Sequence, residues 1–157
     1  MKIRLFAVGK MKRSAFAEVS ADYLKRIQKF LPCEIIEIPD EKIPPQGPIE
    51  PGLALEAKKI LKRIKPGAHR IVLDEKGIQW SSVDLAWELQ RIMNGSASEI
   101  DFILGGAYGL DAELKQGAQH LWSLSKLTLP HRLARVLTLE QIYRALTILR
   151  NVPYHNE

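Results

Sequence analysis

Ile3 to Val8 is a near-continuous apolar run closed by Gly9, the pattern of a strand buried on both faces. From Ser14 onward Phe16, Val19, Tyr23, Ile27 and Phe30 recur at steps of three and four, which predicts an amphipathic helix capped by Ser14. A short strand over residues 34 to 38 ends at Pro39. Pro44-Pro45-Gln46-Gly47-Pro48, with Pro51 and Gly52, is the most breaker-rich stretch and predicts a mobile surface loop too short to divide the chain into domains. Helical spacing resumes from Leu53 to Ile64 and stops at Lys65-Pro66-Gly67. A third strand, Arg70 to Asp74, leads into a polar turn at Glu75-Lys76-Gly77. Ser81 or Ser82 then caps a helix whose apolar positions are Val83, Ala86, Trp87 and Met93. Ile100 to Leu104 is a fourth strand and Leu121 to Leu124 a weaker fifth, with a short helix opened by Asp111 between them.

Strands alternating with helices predict a single α/β domain over residues 1–157, its mostly parallel sheet covered by helices on both faces. The last helix, Arg132 to Arg150, is apolar around most of its circumference and must therefore be buried on more than one side. A second subunit is the simplest second cover, which predicts a homodimer through this helix; the alternative is a helix running through the centre of one monomer.

At 157 residues with 46% hydrophobic and 26% charged content, the chain can bury a core of its own, and no apolar run is long enough to cross a bilayer. Its first residues read as a strand and not as a signal peptide. The single cysteine, Cys33, has no disulfide partner and no metal-ligand companions at useful spacing, so a reducing cytoplasm and no metal are expected. A formal charge of +5 favours an acidic partner such as nucleic acid. The excess is dispersed, with Lys10, Lys12 and Arg13 in one cluster and Arg132, Arg135, Arg144 and Arg150 along the last helix.

The loop Gly105-Gly106-Ala107-Tyr108-Gly109 follows the fourth strand but lacks both dinucleotide and phosphate-loop spacing, which counts against a flavodoxin-like phosphate binder. It is either a tight turn or a place where backbone approaches a ligand beyond the strand ends. His131 reads as structural, His69 and His120 as strand-leading residues without a role, and Trp87 and Trp122 as core. His155 lies in a tail stiffened by Pro153 and anchored by Tyr154.

Taken together, Leu73-Asp74-Glu75-x-Gly77, Phe102-Ile103-Leu104-Gly105-Gly106-Ala107-x-Gly109, Ser123-Leu124-Ser125-x-Leu127-Thr128-x-Pro130-His131, Glu140-Gln141-Ile142-Tyr143-Arg144-Ala145 and Pro153-Tyr154-His155 resemble the RlmH (YbeA-type) family of the SPOUT superfamily, along the whole chain. The resemblance implies a SPOUT-type fold with a C-terminal trefoil knot, an exception to the rule against threaded chains. It also implies a homodimer that uses S-adenosylmethionine to methylate N3 of a pseudouridine in helix 69 of 23S rRNA, on the ribosome. By the same resemblance Leu73, Gly105 and Leu124, Ser125, Lys126, Leu127, Thr128 and Leu129 hold the cofactor. His155 is then the candidate base, as an imidazole is the side chain that ordinarily changes charge near neutrality, and Tyr154 positions it or stacks on the substrate base. Arg132, Arg135, Arg144, Lys10 and Lys12 are the candidate RNA contacts, although Arg144 could equally pin the dimer. The competing reading is a non-catalytic ribosome- or RNA-binding protein with a vestigial pocket.

Overall fold

The computed structural model describes residues 1–156. Five strands, β1 (Ile3–Val8), β2 (Cys33–Ile38), β3 (His69–Ile78), β4 (Ile100–Leu104) and β5 (His120–Trp122), form one sheet in the order β2-β1-β4-β3-β5. Every pairing is parallel. Helices α1 (Ala15–Ile27), α3 (Ser82–Met93) and α5 (His131–Leu149) pack on one face, joined to Ile3, Leu5, Ile71, Phe102 and Leu104 in one core. Helices α2 (Glu50–Leu61) and α4 (Ala112–Gln116) cover Phe6, Val8, Val72 and Ile103 on the other. Crossovers running toward β2 use the first face and those running toward β5 the second, as a single crossover hand requires.

Local chemistry sets most boundaries. The Ser14 hydroxyl accepts from the Ala17 amide, Ser81 forms a reciprocal capping box with Asp84, and Asp111 accepts from the Glu113 amide. The breaker-rich stretch departs from its expected form: Pro51 does not lie in the loop but in the first turn of α2, where a missing N–H costs nothing. A Cβ on Gly52 would stand 2.7 Å from Ile43, so glycine there lets the preceding loop lie against the helix. The expected turn at Glu75-Lys76-Gly77 is part of β3, whose pairing with β5 is interrupted between Leu73 and Ile78. Gly77 is required because a Cβ would sit 2.5 Å from the Leu121 carbonyl.

Trp87 is not a core residue. The buried stripe of α3 is Leu85, Ala86, Leu89 and Ile92, and Trp87 falls off it, 66% exposed. The apolar circumference of α5 is largely covered within the chain, between α1 and α3, and Ala134, Thr138, Leu139, Ile142, Ala145 and Leu146 are buried there. Leu146 belongs to this core and not to an outer interface, whereas Leu133 remains exposed.

The apolar reading of β1 conceals a buried ion pair. Arg4 donates to both oxygens of Asp101, its register partner on β4, at 2.7 Å each, and to the Arg63 carbonyl at 3.0 Å. Arg4→Met strands a fully buried carboxylate and is expected to cost about 3–5 kcal/mol. Chemical denaturation checks this, and an unchanged midpoint would show the pair to be dispensable.

Candidate active site

The carboxyl ends of β3, β4 and β5 open into a cavity of about 730 Å³, within the range of small-molecule and cofactor sites and at the end of the sheet where α/β folds bind ligands. Three segments wall it: residues 73–76 within β3, where its pairing with β5 is interrupted, the glycine loop 104–110 from the end of β4, and residues 122–131 from the end of β5 to the start of α5. The second and third are loops fed by short strands, which brings main chain to the ligand space beside the side chains of Lys76, Lys115 and His131.

The loops are held by their own hydrogen bonds. Gly109 has φ +82° and its amide donates to the Gly106 carbonyl, closing a tight turn. A Cβ on Gly105 would lie 2.5 Å from the Gly109 carbonyl oxygen and 2.9 Å from Leu110. Gly105 is therefore needed for the loop to fold back on itself, and a side chain there strikes the loop before it reaches the cavity. In the third wall the Ser125 hydroxyl accepts from the Leu127 amide at 2.9 Å, and Ser123 donates to the Ser125 carbonyl at 3.0 Å. Leu127 is left 74% exposed at the rim, an apolar surface facing the opening.

Leu73, Gly105, Leu124, Ser125, Leu127, Thr128 and Leu129 all line the cavity, and Lys126 does not. Asp74, Lys115 and His131 also line it, and the sequence reading passed over them. The adjacency of Asp74 and Glu75 suggested only a polar turn, and a histidine after proline suggested a helix start. Asp74 pairs with Lys115 at 2.6 Å and accepts from the Lys76 amide at 2.8 Å. Burial alone would raise its carboxyl, but these donors hold it below the usual aspartate value.

The basic candidates separate. Lys10 and Lys12 are exposed just beyond β1, at the cavity end of the sheet, and Arg132 is half-buried in the first turn of α5. Arg135, expected to meet RNA, is 3% exposed and turned inward, donating to Glu37 and to the Gly9 carbonyl at 2.7 Å each. It ties the start of α5 to the loop that carries Lys10 and Lys12. Burial works against the Glu37 carboxylate, but the Met11 amide and Arg135 together hold its carboxyl below the usual range.

Tyr154 and His155 do not lie in an unsupported tail. The Tyr154 hydroxyl is 3.1 Å from Glu140 and 3.2 Å from the Tyr23 hydroxyl, its ring meets Tyr143 edge-on at 4.7 Å, and Arg144 lies over its face at 4.6 Å. Burial and these neighbours push the phenol well above its ordinary value, so Tyr154 acts as a hydrogen-bond donor and not as a base. Arg144, which cannot accept, donates to Glu140 and reaches Nδ1 of His155 at 3.3 Å. This cluster sits at Glu140, whereas His131 and Ala134 at the start of the same helix line the cavity. Glu140 lies nine positions beyond His131 and six beyond Ala134 on this helix, about 14 and 9 Å at 1.5 Å per residue. Neither Tyr154 nor His155 lines the cavity of its own chain.

A family profile described as "Predicted SPOUT methyltransferase" matches residues 1–155. The chain is 45% identical over 156 residues to the ribosomal RNA large subunit methyltransferase H of Syntrophotalea carbinolica, covering 99% of each. It is 44% identical over 157 residues to the protein of the same name from Chromobacterium violaceum, covering 100% of each. Among solved structures, a probable methyltransferase from Bordetella pertussis Tohama I aligns with TM-score 0.54 at 15% identity, covering 92% of this chain and 94% of that one. The last likeness shows the fold.

Proposed function

The chain belongs to the SPOUT methyltransferase family, and from that premise we propose that it methylates N3 of a pseudouridine in helix 69 of 23S rRNA, on the assembled ribosome in the cytoplasm, as a homodimer using S-adenosylmethionine. The observation that carries it is the full-length similarity to ribosomal RNA large subunit methyltransferases H, coupled with a cavity walled by the three loops that the resemblance assigned to the cofactor.

The residues present fit S-adenosylmethionine. The cavity has the volume for it, offers apolar surface from Leu73, Leu127 and Leu129 for an adenine, and carries both a carboxylate and an ammonium in Asp74 and Lys115. Leu73, Gly105 and the stretch Leu124 to Leu129 would hold the cofactor, and the turn that Ser125 makes with the Leu127 amide keeps that stretch in shape. When bound, the cofactor supplies a methyl group activated by a sulfonium. The trefoil knot belongs to the same reading, with the segment leading into α5 threaded through an earlier loop.

The remaining chemistry falls to the chain's own groups. N3 of pseudouridine carries a proton, and an imidazole that accepts it leaves the nitrogen lone pair for the methyl carbon. His155 is assigned that role at Nδ1, the ring nitrogen that accepts from Arg144 and must part from it to take the proton, and Tyr154 the role of orienting the ring. Because both sit away from the cavity of their own chain, the pair serves the partner's cavity. The exposed Leu133 and the neighbouring outward surface of α5 supply the dimer face. Lys10, Lys12 and Arg132 meet RNA phosphates, where they add affinity without reading sequence.

Two measurements test this reading. Calorimetry is expected to show saturable S-adenosylmethionine binding at micromolar concentration, and mass spectrometry of 23S rRNA from a deletion strain is expected to show one pseudouridine lacking its methyl. Absent cofactor binding would leave an RNA-binding protein with a vestigial pocket. An unchanged 23S methylation pattern would move the substrate elsewhere.

A further inference from the structure

At the amino-terminal ends of the strands, away from the cavity, three residues widely separated in sequence converge. His69 opens β3, His120 opens β5 and Glu88 lies on α3. One ligand atom from each comes within 4.8 Å of the other two. The imidazoles of His69 and His120 stack with centroids 5.2 Å apart, and His120 Nε2 is 2.8 Å from Glu88 Oε1. We propose that His69, Glu88 and His120 form a zinc site that clamps the edge strand β5 to β3 and α3.

Two imidazoles and a carboxylate are a ligand set that zinc takes, leaving a fourth position for water, and small side-chain rotations bring these atoms to the required ~2.0–2.1 Å. His69 Nε2 is buried without a hydrogen-bond partner, an arrangement that costs free energy unless something accepts its lone pair or its proton. Arg91 Nε lies 3.1 and 3.0 Å from the two Glu88 oxygens, and its Nη2 reaches Glu88 Oε1 at 2.5 Å and His120 Nε2 at 3.4 Å, so the guanidinium borders the ion's place and must swing toward solvent, where its side chain is already 63% exposed, for a dication to enter. Trp80 packs edge-on against His120 at 5.1 Å and stacks on Trp122, giving the site an apolar wall.

The site has a mechanical consequence. β5 is a three-residue edge strand whose continuation, residues 123–129, forms one wall of the cavity. A metal at His120 anchors the start of that strand.

The experiment titrates the chelator-treated full chain with zinc alone, by calorimetry and by thermal melting. One zinc per chain, a raised melting temperature, and at least tenfold weaker binding in Glu88→Gln and in His69→Gln/His120→Gln are expected. Glu88→Gln is nearly isosteric and retains a carbonyl oxygen for Arg91, so it separates loss of a ligand from loss of the fold. The chain's only other histidines, His131 and His155, provide the control: His131→Gln/His155→Gln should bind zinc as the parent does. No saturable binding at micromolar zinc would overturn the proposal. So would binding that persists in His69→Gln/His120→Gln or disappears in His131→Gln/His155→Gln.

Discussion

Deleting residues 154–157 is expected to abolish methylation of ribosomes while S-adenosylmethionine binding stays within a few-fold of the intact chain. The separation follows from geometry, because Tyr154 and His155 are absent from the cavity wall of their own chain and are held at Glu140, Tyr23 and Arg144. His155→Ala alone is expected to lower the rate by about 10²–10⁴ if it is the general base, and Tyr154→Ala to weaken positioning. Tyr154 also makes contacts within its own chain, so the deleted protein must still melt cooperatively for its activity to be interpretable. Mixing it with a protomer carrying Gly105→Val tests whether the tail serves the partner. Exchanged dimers then contain one cavity with both an intact glycine loop and an intact tail, and activity should return. Mixed dimers as inactive as their parents, with subunit exchange demonstrated, would place the tail's action elsewhere.

Gly105→Val is expected to lower S-adenosylmethionine affinity by at least a hundredfold, about 2.7 kcal/mol. A valine Cβ at 2.5 Å from the Gly109 oxygen cannot be accommodated without opening the loop, since the obstacle is backbone and not the tip of a flexible side chain. The loss therefore comes from a deformed wall. A matched control lies one residue on: a Cβ at Gly106 meets only Val8, at 3.3 Å. Gly106→Ala should cost no more than a few-fold. Calorimetry on both variants decides the matter, and undiminished binding by Gly105→Val would mean that this loop does not cradle the cofactor.

The elements of this protein were legible in its sequence wherever the determining physics was local. Ser14, Ser81 and Asp111 cap helices because each hydroxyl or carboxylate reaches an amide two or three residues ahead. Ile100–Leu104 reads as a buried strand because all five residues are buried between neighbouring strands. The glycine loop and the Ser125 stretch could likewise be picked out as backbone-rich segments, and motif order tied them to a methyltransferase family. Tertiary structure decided which surface each side chain meets. Trp87 has a helix-compatible apolar position but falls off the buried stripe, while Arg135 looks like a phosphate ligand and is buried against Glu37 and Gly9. Pro51 begins a helix because only its neighbours' geometry distinguishes a loop proline from a first-turn one. His69, Glu88 and His120 share no spacing rule; parallel strand order and the packing of α3 bring them within reach of one ion. Periodicity and capping act over a turn or two of chain, whereas burial and convergence depend on how whole elements pack, and that is settled only when the sheet is assembled.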